Sequence, residues 1–135
     1  MERDVRKEAI SWYEGATIDL EEAESALSAG RRNWALFAAH QAVEKSMKAA
    51  YIALKHERAP RTHDLVELHR GLGIELQDDL LEALSELTPY YTVARYPNAG
   101  LEKPWESISP FLARRLVTLS KRIVFEIGSH AGLAR

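Results

Sequence analysis

Arg95 lies between two tyrosines, Tyr91 and Tyr96, in the segment YYTVARYPNAG that spans residues 90–100. A guanidinium group stacks on aromatic rings and donates hydrogen bonds in a planar fork, so an arginine in this setting suits a phosphate group or a nucleobase. The same residues could instead close the end of a helical bundle, with the arginine stem packed on the rings. The residue types alone leave both interpretations open.

The local structure of this segment depends on Thr88 and Pro89, which precede it. By propensity the string YYTV favours a β-strand, but a lone strand would have no partner elsewhere in the chain. A threonine cap followed by proline at the first helical position instead predicts a short helix. We expect this helix to carry Tyr91 and Arg95 and to end at Pro97.

A row of polar side chains follows one face of the predicted second helix. It consists of His40, Gln41, Glu44, Lys45 and Lys48. Glu44 and Lys48 are four residues apart, and a pair at this spacing stabilises a surface helix by about 0.2–0.5 kcal/mol. Gln41 and Lys45 have the same separation, so the spacing favours an ordinary surface face. The alternative is a ligand site, because two lysines and a glutamine on one face could bind a phosphate or a partner's carboxylates.

The string THDL places His63 beside Asp64. A histidine next to a carboxylate suggests a base with its orienting group, but adjacent residues at a helix start usually point in different directions. An aspartate in the first turn is stabilised by the helix dipole, and the same amide-rich end could hold an anion. We favour a role in capping and packing for these two residues.

The sequence offers no recognisable metal site or common catalytic motif. No two of its five histidines stand at the i, i+4 spacing of a helical zinc site, and it contains no cysteine. A Gly-rich phosphate loop and a Gly-x-Ser-x-Gly elbow are also absent. We therefore predict neither a metal nor a cofactor.

Length and composition predict one domain that covers residues 1–135. The lack of cysteine, of an apolar leader and of an apolar run near ~20 residues predicts a cytoplasmic protein without a membrane segment. A formal charge of -2 does not indicate a nucleic-acid binder. Acidic residues nevertheless cluster at 14–24 and 75–86, and basic residues at 45–61 and 114–122. We interpret these blocks as solvated helix faces that attract each other, with a phosphate-facing patch as the alternative.

Hydrophobic periodicity predicts a first helix over residues 5–27 and a second over residues 34–56. Gly30 supplies the stop between them, and Asn33 supplies the cap of the second. Beside its apolar stripe the second helix carries a row of small residues, Ala35, Ala39, Ala42, Ser46, Ala49 and Ala53. Small side chains let another helix approach closely, so this row faces either a helix of the same bundle or a second protomer.

Three further helices complete the prediction. A short one opens with the THDL string and ends at Gly71 or Gly73, and another begins near Asp78. The inward-facing residues of the latter are Leu80, Leu81, Leu84 and Leu87. Ser-Pro at residues 109–110 is a typical helix start, and the last helix runs from there to about Gly128. Together these patterns predict an all-α fold, an up-and-down bundle of four long helices plus one short helix.

Three segments in this order, FAAHQAVEKSMKAAYIAL, RTHDL and YYTVARYP, resemble the HEPN domain (higher eukaryotes and prokaryotes nucleotide-binding domain). The likeness covers nearly the whole chain. It implies a helical bundle that forms homodimers and is commonly encoded beside a minimal nucleotidyltransferase, with which it forms a two-component, often toxin and antitoxin, system. The residues that match the family motifs are Gln41, Glu44, Lys45, Lys48, His63, Asp64, Arg95 and Tyr96.

The resemblance also implies a possible enzymatic activity, since many HEPN domains are metal-independent ribonucleases. Those members carry an arginine followed four to six residues later by a histidine, whereas here no histidine follows Arg95 before His130. The string from Arg58 to His63 has the right spacing but lies in the loop before the short helix, and we interpret it as coincidence. Without the histidine the ribonuclease chemistry lacks its general base, and tyrosine, with a pKa near 10, is a poor replacement.

The leading hypothesis is therefore a dimeric module that binds a nucleotide, an RNA segment or a partner protein. We expect Arg95 and Lys48 to contact phosphate and Tyr91 or Tyr96 to provide a stacking surface. His63 and its aspartate neighbour orient groups near the same end. The alternatives are an RNA endonuclease toxin with an unusual site and an interaction scaffold without a ligand.

Overall fold

The computed structural model describes residues 2–96 and 103–134, and in these ranges every regular element is helical. The helices are α1 (Glu2–Ser28), α2 (Arg32–Ala50), α3 (Leu65–Leu72), α4 (Asp78–Leu87), α5 (Pro104–Ser107) and α6 (Pro110–His130). A π-helical turn, Tyr51–Lys55, extends α2, and a 3₁₀ turn, Thr88–Tyr91, extends α4. The prediction of an all-α bundle is confirmed. None of the helices in the described ranges has the length and apolar composition that crossing a bilayer requires.

Helix α2 lies at the centre of the bundle and packs against α1, α6 and α3. Its small residues are buried within the single chain, because Ala35, Ala39, Ala42, Ser46 and Ala49 are all fully inaccessible to solvent. The small-residue row therefore faces helices of the same protomer, which decides between the two alternatives that its spacing left open. Alanines on α1 are buried as well, so these two helices approach each other closely along most of their length.

The start of α2 differs from the prediction. Asn33 is not the cap, because the helix already begins at Arg32 and no side chain caps it. Instead Asn33 is buried, and its side-chain amide donates a hydrogen bond to the backbone carbonyl of Ala94 at 3.2 Å. Asn33 makes this hydrogen bond to a distant carbonyl instead of a local capping bond. The hydrogen bond connects the segment after α4 to the first turn of α2.

The segment after α4 also differs from the prediction. Thr88 has right-handed helical backbone angles and is not the N-cap of a new helix, and only a 3₁₀ turn and an irregular turn follow it. Its hydroxyl donates to the carbonyl of Leu84 and accepts from the amide of Leu65. Thr88 therefore joins the end of α4 to the start of α3. The predicted end at Pro97 lies outside the described residues.

The inner face of α4 is narrower than predicted. Leu80, Leu84 and Leu87 are buried, but Leu81 is 37% exposed. Positions separated by three and four residues share one helix face, whereas adjacent positions lie about 100° apart. Leu81 therefore points away from the core that its neighbours enter.

The last helix follows the prediction closely. The Ser109 hydroxyl accepts a hydrogen bond from the amide of Leu112 at 3.0 Å, and Pro110 occupies the first turn. Leu116, Ile123 and Ile127 are buried against α2 and α1. This helix spans the bundle and runs two residues beyond the predicted end at Gly128.

Candidate functional site

One cluster of aromatic and charged side chains joins α2, the residue before the cap of α3, and the turns after α4. We call it the Arg95 cluster, and its members are Phe37, His40, Glu44, Lys48, His63, Tyr91, Arg95 and Tyr96. The four members on α2 are separated by three or four residues, so they share one face of that helix. Helix α2 therefore supplies a rigid base, and the two neighbouring segments close over it.

The guanidinium group of Arg95 lies among three aromatic rings. Its central carbon is 4.4 Å from the ring centre of Tyr91, 4.9 Å from Phe37 and 5.1 Å from Tyr96. The side-chain Nε donates to the carbonyl of Tyr91 at 2.6 Å. Within the described part of the chain no carboxylate pairs with Arg95, and its two terminal nitrogens have no acceptor. The rings hold the cation in place while its charge and its outer hydrogen-bond donors remain available.

Tyr91 is the centre of the cluster. The ring of His63 stacks on it with 3.6 Å between ring centres and an angle of 11° between the planes. Because His63 covers one face of the tyrosine, the Arg95 guanidinium lies over the other. Tilted contacts to Phe37 and His40, at 6.0 and 5.5 Å, hold the tyrosine against α2. Tyr91 is thus a spacer between an imidazole and a guanidinium.

Glu44 fixes the orientation of His63. Its side chain is almost fully buried, and its two oxygens bond to different partners, Oε1 to Nδ1 of His63 at 2.8 Å and Oε2 to Nζ of Lys48 at 2.9 Å. A carboxylate only accepts hydrogen bonds, so Nδ1 of His63 carries the proton. The other ring nitrogen, Nε2, is then directed away from Glu44, and the His63 side chain is 49% exposed. A carboxylate and a histidine arranged in this way can move a proton to or from a bound group.

His40 lies beneath the cluster and is fully buried. Its Nε2 donates to the backbone carbonyl of His63 at 2.8 Å, and its Nδ1 lies 3.3 Å from Oε1 of Gln41. Burial is the largest influence on this imidazole and lowers its pKa from the ordinary value. The neutral ring holds the backbone of His63 in place and so helps to position the side chain above it.

The structure changes the interpretation of two predicted features. The polar row on α2 is not an ordinary surface face, because His40 and Glu44 are buried beneath His63 and Tyr91. Asp64 does not orient His63; its carboxylate caps α3 by accepting from the amides at 66 and 67, which agrees with the capping role. The carboxylate that orients the histidine is Glu44, nineteen residues earlier in the chain.

Most of the predicted site residues meet in the Arg95 cluster, but Gln41, Asp64 and Lys45 do not. The ammonium group of Lys45 pairs with Asp19 of α1 at 2.8 Å, rather than with Gln41 on its own helix. A full ion pair is stronger than a contact with a neutral amide. Lys48, by contrast, pairs with Glu44 as its spacing predicts and also lies 5.2 Å from the ring centre of Trp12.

Phe37 was not a candidate in the sequence analysis, and His40 was a member of the polar row without an assigned role. Phe37 precedes His40 by three residues, so extending the periodicity of the polar row toward the start of α2 would have included it. Among the described residues no group of three or more histidine, aspartate and glutamate side chains is placed to hold a metal ion.

Comparison with known proteins identifies relatives of similar length. The model of the HEPN domain family matches residues 9–126. A crystal structure of TT1696 from Thermus thermophilus has a TM-score of 0.80 and 29% identity, covering 90% of this chain and 96% of that one. An archaeal HEPN homologue, ST0689, has a TM-score of 0.75 and 27% identity, covering 91% of this chain and 97% of that one. Curated proteins gave no match.

A HEPN domain protein from Thermotoga maritima, TM0613, has the same fold. Its TM-score is 0.69 at 22% identity, and the match covers 90% of this chain and 98% of that one. All three matches extend over nearly the full length of both chains, so the similarity concerns the entire bundle rather than one pair of helices.

Proposed function

The chain belongs to the HEPN domain family, and we propose that its Arg95 cluster binds a phosphate-bearing aromatic ligand, a nucleotide or a segment of RNA. The observation that carries this proposal is the placement of Arg95 over three rings without a carboxylate partner among the described residues. A guanidinium group is positively charged at physiological pH. Phosphate is the anion that its planar fork of donors binds most specifically.

Two exposed aromatic side chains near Arg95 suit the base of such a ligand. Tyr96 is 53% exposed and contacts the guanidinium, and Trp34 is 46% exposed and meets Phe37 edge to face at 6.0 Å. Stacking of a nucleobase on an aromatic side chain contributes about 1–3 kcal/mol. A base stacked on one of these rings would leave its phosphate within the reach of Arg95. The site would then contact both the base and the phosphate of a nucleotide.

Titration calorimetry with ATP, GTP and a short single-stranded RNA tests the proposal. We expect saturable binding of at least one of them, and Arg95→Ala should weaken it while Arg114→Ala should not. Arg114 is an exposed arginine on α6 outside the cluster, so it controls for a general loss of positive charge. No saturable binding at millimolar ligand, combined with a lower melting temperature for Arg95→Ala, would support the scaffold alternative instead.

We further propose that the chain works as a homodimer together with a minimal nucleotidyltransferase, as one component of a toxin and antitoxin pair. HEPN domains often dimerise, and the family resemblance supports the partner. Analytical ultracentrifugation measures the first part of this proposal. Co-purification with the product of an adjacent nucleotidyltransferase gene measures the second. A monomer at micromolar concentration would contradict the dimer, and the lack of such a neighbouring gene would contradict the pair.

A second candidate function is RNA cleavage, and the Glu44–His63 pair favours it. In the sequence, Arg95 lacks the histidine that ribonuclease members carry, but the fold brings His63 onto the opposite face of Tyr91. Nε2 of His63 could remove the proton from a ribose 2'-hydroxyl, while Arg95 stabilises the negative charge that develops on the phosphate. His63 would then perform the proton transfer from a position that differs from the one in the family motif.

Expression in bacteria separates cleavage from binding. If the chain cleaves RNA, the wild-type protein should arrest growth and degrade RNA without added metal, and both His63→Ala and Arg95→Ala should abolish these effects. His56→Ala is the matched control, because His56 is an exposed histidine in the same loop. Equal growth for wild type and His63→Ala would exclude this candidate while leaving the binding proposal unaffected.

A further inference from the structure

Two lysines of α2 reach across to α1, and α1 receives them differently. Lys45 meets a carboxylate, because its ammonium group lies 2.8 Å from Asp19. Lys48 meets the partly buried indole of Trp12, with its ammonium group 5.2 Å from the ring centre. An aromatic face attracts a cation without neutralising it, so the charge of Lys48 can still serve another group.

Glu44 is the group that this charge serves. The Oε2 atom of Glu44 accepts a hydrogen bond from Nζ of Lys48 at 2.9 Å, and within the described ranges this lysine pairs with no other carboxylate. A pair at i, i+4 is usually a solvated surface contact of small effect. Here the carboxylate is only 4% exposed, so water has little access to replace the lysine as its partner.

The two hydrogen bonds of Glu44 fix the direction of its carboxylate. Lys48 holds Oε2, and Nδ1 of His63 donates to Oε1 at 2.8 Å. The terminal torsion of a glutamate has broad energy minima, so a carboxylate bonded through one oxygen turns easily, whereas one bonded through both does not. Glu44 has no third hydrogen-bond partner in the described part of the chain. Loss of the lysine would therefore leave His63 bonded to a carboxylate whose direction is no longer fixed.

We propose that Lys48, held against Trp12, is a positioning residue that directs the Glu44 carboxylate at His63 and balances its buried charge. In this role the lysine does not contact the ligand, in contrast to the phosphate contact that the sequence predicts for it. It acts through Glu44, which keeps the proton of His63 on Nδ1 and leaves Nε2 for a bound group. The inference rests on the proposed function only in that His63 faces the ligand.

NMR of the imidazole nitrogens tests the inference on the protein without ligand at pH 8, because their chemical shifts distinguish a protonated ring nitrogen from an unprotonated one. The measured quantity is the ratio of His63 protonated on Nδ1 to His63 protonated on Nε2, and we expect the first form to predominate. Lys48→Met keeps a long unbranched side chain but removes the ammonium group, so it should lower this ratio at least tenfold. Lys48→Arg restores the charge and should restore the ratio.

Two further variants identify the origin of the effect. Lys45→Met removes an ion pair between the same two helices outside the Arg95 cluster, so it should leave the His63 proton ratio unchanged. Trp12→Leu removes the aromatic support of Lys48 but retains both charges, and it should lower the ratio by less than Lys48→Met does. Trp12→Leu also tests the same contact should Lys48→Met fail to fold, which a thermal scan by circular dichroism shows.

Ligand affinity separates this role from a direct contact with phosphate. If the lysine bound phosphate itself, Lys48→Met should weaken nucleotide or RNA binding as strongly as Arg95→Ala and leave the His63 proton ratio at its wild-type value, and that result overturns the inference. An unchanged ratio in Trp12→Leu and Lys48→Met, or an equal fall in Lys45→Met, also overturns it. A lack of ligand binding would contradict the proposed function alone, because the proton ratio is measured without ligand.

Discussion

Arg95 and Arg115 occupy contrasting environments in the same bundle. Arg115, on α6, pairs with Glu86 of α4 through both terminal nitrogens, and this carboxylate raises the pKa of the guanidinium. Arg95 instead has aromatic neighbours, with no acidic partner in the described part of the chain. An ion pair satisfies the charge of an arginine within the fold, whereas aromatic rings hold the side chain without neutralising it. The contrast separates a structural arginine from one that can meet an anionic ligand.

Three further residues of the basic blocks resemble Arg115. Arg122 pairs with Asp79, Lys121 with Glu24, and Lys45 pairs with Asp19. These contacts confirm the interpretation of the charge blocks as helix faces that attract each other. They also explain why charge patterning alone did not locate the site, since Arg95 lies outside every block.

Replacing each of the two arginines by alanine should produce opposite results. Arg95→Ala should lower the affinity for the nucleotide or RNA by about 2–3 kcal/mol, the contribution of charge-assisted hydrogen bonds, and change stability little. Arg115→Ala should leave the affinity unchanged. Calorimetric titration of both variants under one set of conditions measures the difference. Equal losses would mean that the two arginines act only through the overall charge.

The carboxylates of these two regions, Glu44 in the Arg95 cluster and Glu86 at Arg115, should also differ in how much they contribute to stability. Glu44 is almost completely buried and bonds to His63 and Lys48, so Glu44→Ala should lower the free energy of unfolding by about 2 kcal/mol. Glu86→Ala breaks an ion pair whose side chains are about one third exposed, and it should cost about 0.5 kcal/mol. Urea denaturation at neutral pH measures both values. A smaller loss for Glu44→Ala than for Glu86→Ala would contradict the assignment of Glu44 as the residue that organises the cluster.

Capping residues and hydrophobic periodicity predicted the helices, because both depend only on residues that are close together in the sequence. Ser109 and Asp64 cap the helices that follow them, and Gly30 and Gly73 adopt the left-handed conformation that ends the helices before them. Asn33 is the exception: its side chain is a competent cap, but the fold offers it a buried acceptor sixty-one residues away. Such long-range competition leaves no trace in local sequence.

The sequence predicted several members of the cluster and the pairing of Glu44 with Lys48, but not the pairing of Glu44 with His63. Glu44, His63 and Arg95 were all candidates from the sequence, and the fold brings them to one place. The contact between His63 and Glu44 depends on the path of the loop after α2, which no spacing rule describes. The capping role favoured for Asp64 agrees with the structure. Its alternative role as the group that orients His63 belongs to Glu44, because sequence adjacency does not place two side chains in contact.

The pH dependence of stability should reflect the buried histidine rather than the exposed ion pairs. Burial lowers the pKa of His40 in the folded state, so below about pH 6.5 the unfolded chain binds more protons than the folded one. The contribution of His40 to the free energy of unfolding is fully present above that pH. It is lost as the pH falls toward the folded-state pKa, at no more than about 1.4 kcal/mol per pH unit.

Urea unfolding at pH 7.5, 6.5 and 5.5 measures this slope, with His40→Gln and His130→Gln as a matched pair. The first replaces the buried imidazole and should flatten the slope, whereas the second replaces an exposed histidine at the end of α6 and should retain it. An unchanged slope for His40→Gln would assign the acid sensitivity to another group.

The smallest effect is expected at the pair formed by Arg122 and Asp79. The guanidinium hydrogen bond to Asp79 lowers the pKa of that carboxyl, but both side chains are about half exposed. Water and salt screen such pairs, so a double-mutant cycle with alanine should give a small coupling that disappears in 1 M salt. The same ionic strength should leave the coupling between Glu44 and His63 largely intact, because the Glu44 carboxylate is buried and is screened far less. A salt-resistant coupling at the exposed pair would show that α4 and α6 are held together more rigidly than their charges alone require.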